Sequence, residues 1–106
     1  MGDVERMVLG RFKALLEERV PLHDLILFGS RARGDPEPES DMDVLVVLGD
    51  EADAAAREAV SDCAWEAGFD EGIVVVPMVF TRSEWERGPE RHSLLAQSIR
   101  AEGVRL

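Results

Sequence analysis

The chain has few cations: 12 Lys and Arg stand against 22 Asp and Glu, a formal net charge of −10. A phosphate polymer is held chiefly by Lys and Arg and is repelled by a diffuse negative field, so this balance argues against long nucleic acid as a partner. A single nucleotide stays open, because divalent cations and a few arginines can meet its charge locally. No apolar run approaches the roughly 20 residues needed to cross a bilayer, so no membrane partner is expected. The single cysteine, Cys63, has no partner for a disulfide or a zinc site and is expected to be a small buried residue. The start of the chain, Met1-Gly2-Asp3-Val4-Glu5-Arg6, lacks the apolar core of a secretory signal, so a cytoplasmic location is expected. His23 and His92 are far apart and lack ligand-spaced neighbours, which favours ordinary surface or core roles over metal binding. A length of 106 residues predicts one domain over 1–106, burying about two thirds of its unfolded surface.

Hydrophobic spacing supplies the elements. Val4, Met7, Val8, Phe12, Leu15 and Leu16 give a helical stripe over 3–18, ended by Pro21. Residues 24–28 form a nearly unbroken apolar run, the pattern of a strand buried on both faces. Gly29 turns the chain, and the segment through Pro36 and Pro38 reads as a loop, with room for one helical turn after Ser30. A second strand covers 41–48. A helix over 51–67 carries small residues at Ala52, Ala55, Ala56, Ala59 and Cys63, with Gly68 as its C-cap. A third strand spans 73–80, and Pro77 argues for an edge position because it cannot donate to a ladder. Thr81-Arg82-Ser83-Glu84 fits a capping box before a short helix around Trp85. A last helix spans 90–102, with Leu94, Leu95 and Ile99 on its apolar face and Gly103 as its stop. Trp65 and Trp85 read first as core residues, and a partner-binding patch at Trp85 beside Leu94, Leu95 and Ile99 is left open. The fold class expected is α/β (α+β): a small mixed sheet with helices packed on it, its first two strands antiparallel.

The chemistry concentrates where those two strands meet. A glycine after a buried strand lets backbone approach a ligand closely, and the following N–H groups can point at phosphate. Ser30 adds a hydroxyl, and Arg31 or Arg33 can neutralise phosphate through a forked contact. Asp41 and Asp43, at i and i+2 of a strand, lie on one face about 6 to 7 Å apart at the backbone. Two such charges repel unless a cation lies between them, and Mg²⁺, which takes one or two carboxylates plus substrate phosphate oxygens, suits the pair.

Gly29-Ser30, ten residues, then Asp41-Met42-Asp43 matches the G-S-x10-D-x-D signature of the DNA polymerase β-like nucleotidyltransferase superfamily. The flanks, Leu25-Ile26-Leu27-Phe28 with Arg31-Ala32-Arg33-Gly34, and Ser40 with Val44-Leu45-Val46-Val47, resemble the minimal nucleotidyltransferase (MNT) family. The tail from Ile99 to Leu106 also looks like that family's ending. The resemblance implies a polymerase β palm-like fold in which Gly29 and Ser30, with Arg31 and Arg33, hold a nucleoside triphosphate. It further implies that Asp41 and Asp43 are catalytic and hold two Mg²⁺ ions. The implied reaction transfers AMP from ATP to a hydroxyl, and the implied partner is a HEPN-domain protein against which the chain acts as antitoxin in a toxin–antitoxin pair.

One departure stands out. The superfamily carries a third carboxylate on a neighbouring strand, whereas 73–80 contains no Asp or Glu. Asp70, Glu71 and Glu84 flank it and read as a solvated turn and a capping residue. The alternative to an enzyme is therefore a catalytically weak or inactive nucleotide-binding module that neutralises a HEPN-type partner by binding alone. Homo-oligomerisation is left open.

Overall fold

The computed structural model describes residues 2–34 and 41–106. Helix α1, Asp3–Arg19, leads into strand β1, Leu22–Phe28, and a single helical turn, α2, Ser30–Arg33. Strand β2, Met42–Leu48, is followed by helix α3, Ala54–Phe69, and strand β3, Val75–Thr81. Helix α4, Arg82–Arg87, a 3-10 turn at Pro89–His92, helix α5, Leu94–Glu102, and the two-residue strand β4, Val104–Arg105, complete the order.

The sheet runs β3-β2-β1-β4. β1 is antiparallel to β2 and to β4, and β3 is parallel to β2, so the sheet is mixed. A parallel neighbour needs a crossover, and α3 supplies it. α1 and α3 cover one face, burying Phe12, Leu16, Met42, Val44, Val46, Val60 and Cys63. The other face is smaller, with Ile26, Leu45 and Val47 under Trp85, Ala96 and Ile99 of α4 and α5. Leu25, Ile26 and Leu27 are all buried because β1 has a helix layer on each side, which explains its unbroken apolar run.

Several expectations shift. The helix expected over 51–67 starts at Ala54, because the Asp53 side chain accepts the Ala56 N–H at 2.9 Å and caps it. Gly68 lies inside α3, where a Cβ would run into the Ile73 carbonyl; it is needed for close approach, not as a cap. The buried stripe of α3 is Ala56, Val60, Cys63, Ala64 and Ala67, so Ala55 faces out. The last helix begins at Leu94, capped by Ser93 accepting from Ala96 N–H. Ala96 and Ile99 face the core, leaving Leu94 exposed. β4 has no counterpart in the sequence reading. Trp85 packs beneath Phe80 and Arg100, so it belongs to the core and not to a patch with Leu94 and Leu95. Trp65, read as core, is 66% exposed.

Pro77 does lie in an edge strand. The capping box is also present, with the Thr81 hydroxyl accepting from Glu84 N–H and the Glu84 carboxylate accepting from Thr81 N–H.

Candidate functional site

β1 delivers Phe28 opposite Asp43 of β2, so the turn after one strand and the first residues of the next share one end of the sheet. Gly29 has φ 78° and ψ −160°, a left-handed backbone that L side chains avoid. A Cβ at this position would stand 2.7 Å from Asp43 Oδ2. Glycine is therefore favoured by the positive φ of the turn, and any side chain here would also have to displace the Asp43 carboxylate. The Gly29 carbonyl accepts the N–H groups of Ala32 and Arg33 at 3.1 and 3.2 Å, which starts α2 directly after the turn with Ser30 as its first residue.

Asp41 is exposed just ahead of β2, and Asp43 is half-buried within it. Strand alternation puts Asp43 on the face of Leu45 and Val47, the thinly covered side of the sheet, and Asp41 is near enough to act on its charge. Burial, and then repulsion from Asp41, push the Asp43 carboxyl above the usual aspartate range, so its ionised form lacks compensation in the free protein. Among the described residues no group of three or more His, Cys, Asp or Glu side chains could hold a metal ion. Two adjacent carboxylates suit a hard cation whose remaining ligands are waters and substrate phosphate oxygens, the arrangement Mg²⁺ favours.

The register fixes where a third carboxylate would have to stand. β3 places Val76 beside Asp43 and Val75 beside Met42, and Met42 N–H donates to the Val74 carbonyl at 2.9 Å. The side chain facing Asp43 from β3 is thus a valine, itself exposed. Two of the three flanking acids are engaged elsewhere. Glu84 is held ionised by the Thr81 N–H and by Arg57 at 2.9 Å, and Asp70 lies 3.9 Å from Arg11 on the α1 side.

The two arginines of the turn diverge. Arg31 is buried, its guanidinium 3.5 Å from the equally buried carboxylate of Glu5 in α1. Arg33 is half-exposed, 3.8 Å from Glu102, so of the two it is the one open to a ligand from solvent. Sequence reasoning missed Glu5, although the signal was present: Glu5, Val8, Leu9 and Phe12 form the buried stripe of α1, and an acid within such a stripe calls for a buried partner. Ser40 and the acidic stretch 35–39 lie outside the described residues. His23 and His92 are both exposed.

A family model described as "Nucleotidyltransferase domain" matches residues 9–99. A comparison with curated proteins found no match. Among solved structures, the chain is similar to one in a toxin–antitoxin complex with AMP-PNP, at 22% identity and a TM-score of 0.63, covering 91% of this chain and 69% of the other. It is also similar to a chain from a complex of a tri-AMPylated HEPN toxin of Shewanella oneidensis with an MNT antitoxin. That likeness has 20% identity and a TM-score of 0.58, covering 95% and 70%. At these identities the structural likeness establishes the fold, a four-stranded mixed sheet with helices, and the match over 9–99 establishes the family: the chain belongs to the nucleotidyltransferase domain family.

Proposed function

We propose that this protein is a Mg²⁺-dependent nucleotidyltransferase that moves AMP from ATP to a hydroxyl of a HEPN-type partner protein and acts as its antitoxin. The observation that carries the reading is the contact between Gly29 and Asp43, where a Cβ would sit 2.7 Å from the carboxylate. It joins a phosphate-shaped turn to a metal-competent acid at one point. The neighbours solved with AMP-PNP and with an AMPylated HEPN toxin support the choice of nucleotide and partner, and the family supports the reaction class.

In this reading Gly29 and the start of α2 bring backbone and the Ser30 hydroxyl against the triphosphate. Arg33 meets its charge from the solvent side, and the Glu5–Arg31 pair holds the turn on α1. Asp41 and Asp43 hold the cations. Bound Mg²⁺ would neutralise the triphosphate and polarise the reacting phosphoryl oxygens. The acceptor oxygen bonds to the α-phosphorus, the bond from that phosphorus to pyrophosphate breaks, and pyrophosphate leaves with the electron pair. The hydroxyl proton passes to water or to a group of the partner, because Val76 occupies the position facing Asp43 on β3.

That same valine favours a second reading, a module that keeps the nucleotide site and neutralises its partner by covering it. Incubation with α-labelled ATP, Mg²⁺ and a candidate HEPN-type partner separates the two. Label on the partner, lost by about 10²–10³-fold or more in Asp41→Asn/Asp43→Asn, supports transfer. Stable co-purification without label supports the module and refutes transfer.

A further inference from the structure

Away from the acid pair, α3 and the outer edge of β3 enclose an open apolar groove of about 490 Å³ lined by Ala64, Trp65, Phe69, Ile73, Val74 and Pro77. Trp65, Phe69 and Val74 are 66%, 63% and 61% exposed, and the two rings pack against each other at a tilt of 32° with centroids 4.7 Å apart. Three large apolar side chains gathered in one depression differ from the scattered exposed residues of any surface and mark an interaction site. Aromatic anchors of this kind dominate binding energy where a partner excludes water from them.

Two features decide what covers it. The first is the blunted strand edge. The Val74 carbonyl points toward β2, so alternation turns the backbone hydrogen-bonding groups of Val75, Pro77 and Val79 toward the open edge. Pro77 has no N–H to offer, and the Val79 carbonyl already accepts from Arg57 Nη1 at 3.3 Å. An added strand would lose its ladder at both places, so the groove recognises side chains, as helix-binding grooves do. The second is charge. Asp62 and Glu66 border Trp65, and Asp70 and Glu71 follow Phe69 in the turn to Gly72. Of these four carboxylates, Glu66 is paired with Arg19 at 2.6 Å and Asp70 approaches Arg11 at 3.9 Å. Four negative charges and two positive ones leave the margin net acidic. A second copy of this chain, with a net charge of −10, would bring matching carboxylates face to face across the groove. An anionic membrane surface meets the same repulsion.

We propose that this groove docks an amphipathic helix of a partner protein, its apolar stripe seated between Trp65, Phe69 and Val74 and its flanks carrying Lys or Arg against the acidic margin. The inference stands apart from the transfer chemistry, since it uses neither Asp41 nor Asp43. Trp65 is its own reporter, because the other tryptophan, Trp85, is buried.

The test uses the full chain without nucleotide and two helical peptides of about five turns, each with a leucine stripe flanked by Lys in one and by Glu in the other. The Lys-flanked peptide is expected to bind one to one, shift the emission to shorter wavelength and shield Trp65 from acrylamide. The Glu-flanked peptide is expected to leave emission unchanged. Phe69→Ser, at an exposed position, is expected to weaken binding by at least about tenfold with unchanged circular dichroism, and Asp41→Asn/Asp43→Asn to bind as wild type. Equal response to both peptides, response to neither, or full affinity in Phe69→Ser would overturn the proposal. So would sedimentation showing a dimer of the free chain in which Trp65 is already shielded, since the occupant would then be a second copy.

Discussion

The two ends of β2 both carry aspartate, and the protein treats them in opposite ways. At the far end Asp50 accepts the Ser83 N–H at 2.9 Å and the Ser83 hydroxyl at 2.6 Å. These bonds, side-chain contact first, hold its carboxyl below the ordinary range, and they tie the end of β2 to the first turn of α4. At the near end Asp43 is pressed against Gly29, half-buried and repelled by Asp41, and its carboxyl is pushed up. One carboxylate is compensated by the fold itself. The other is left uncompensated, and such groups cluster where ligands bind.

The contrast can be sharpened by adding to the charge deficit. If a strand-borne base is what transfer lacks, Val76→Asp, which places a carboxylate beside Asp43 in register, should raise the rate of AMP transfer by about 10²-fold, the lower end of what a positioned base contributes. A time course of label incorporation measures it, and an unchanged rate would show that the proton is handled elsewhere. Breaking the near end sterically is the next largest effect. Gly29→Ala puts a Cβ against the Asp43 carboxylate at a φ of 78°, so a stability loss of about 1–3 kcal/mol from the glycine-only backbone conformation is expected, together with weaker Mg-ATP binding. Urea denaturation reads the first and calorimetry the second.

The smallest effects are the most diagnostic, because they carry opposite signs. The raised carboxyl of Asp43 means that the native state holds this proton more tightly than the unfolded chain. Its contribution to stability is present at low pH and is lost as pH rises through its folded value. Asp43→Asn, without metal, should therefore raise the melting temperature at neutral pH, the gain fading on acidification. The depressed carboxyl of Asp50 works the other way, contributing above its unfolded value and losing that contribution as pH falls through its folded value. Asp50→Asn should lower the melting temperature at neutral pH, with the difference closing in acid. Thermal melts across pH check both. The same sign for the two variants would contradict the comparison.

Much of this was legible in the residues. The apolar run of β1, the alternation that puts Asp43 on the face of Leu45 and Val47, the edge position of Pro77 and the Thr81–Glu84 capping box all rest on local rules of strand geometry and capping, and local rules survive folding. What stayed hidden depends on partners distant in sequence. Helix α3 starts late because Asp53 caps it, a choice among three neighbouring acids that composition does not make. β4 exists only because two residues after α5 reach β1 at Ile26 and Leu27. Trp65 is left outside although its side chain is strongly apolar, because α3 turns its small residues, Ala56, Cys63 and Ala64, toward the sheet and carries its large ring away from it. At the site itself the Gly-Ser turn and the acid pair were readable. The diversion of Arg31 into a buried pair with Glu5 was not, since it joins α1 to α2 across the first strand.

The central claim is that Gly29, Ser30, Asp41 and Asp43 make a Mg-nucleotide site whatever the fate of the chemistry. Isothermal calorimetry of the folded protein with ATP, with and without Mg²⁺, tests it directly. The account predicts saturable one-to-one binding that requires Mg²⁺ and disappears in Asp41→Asn/Asp43→Asn. Absence of binding heat for wild type, or heat that the double substitution leaves intact, would contradict it.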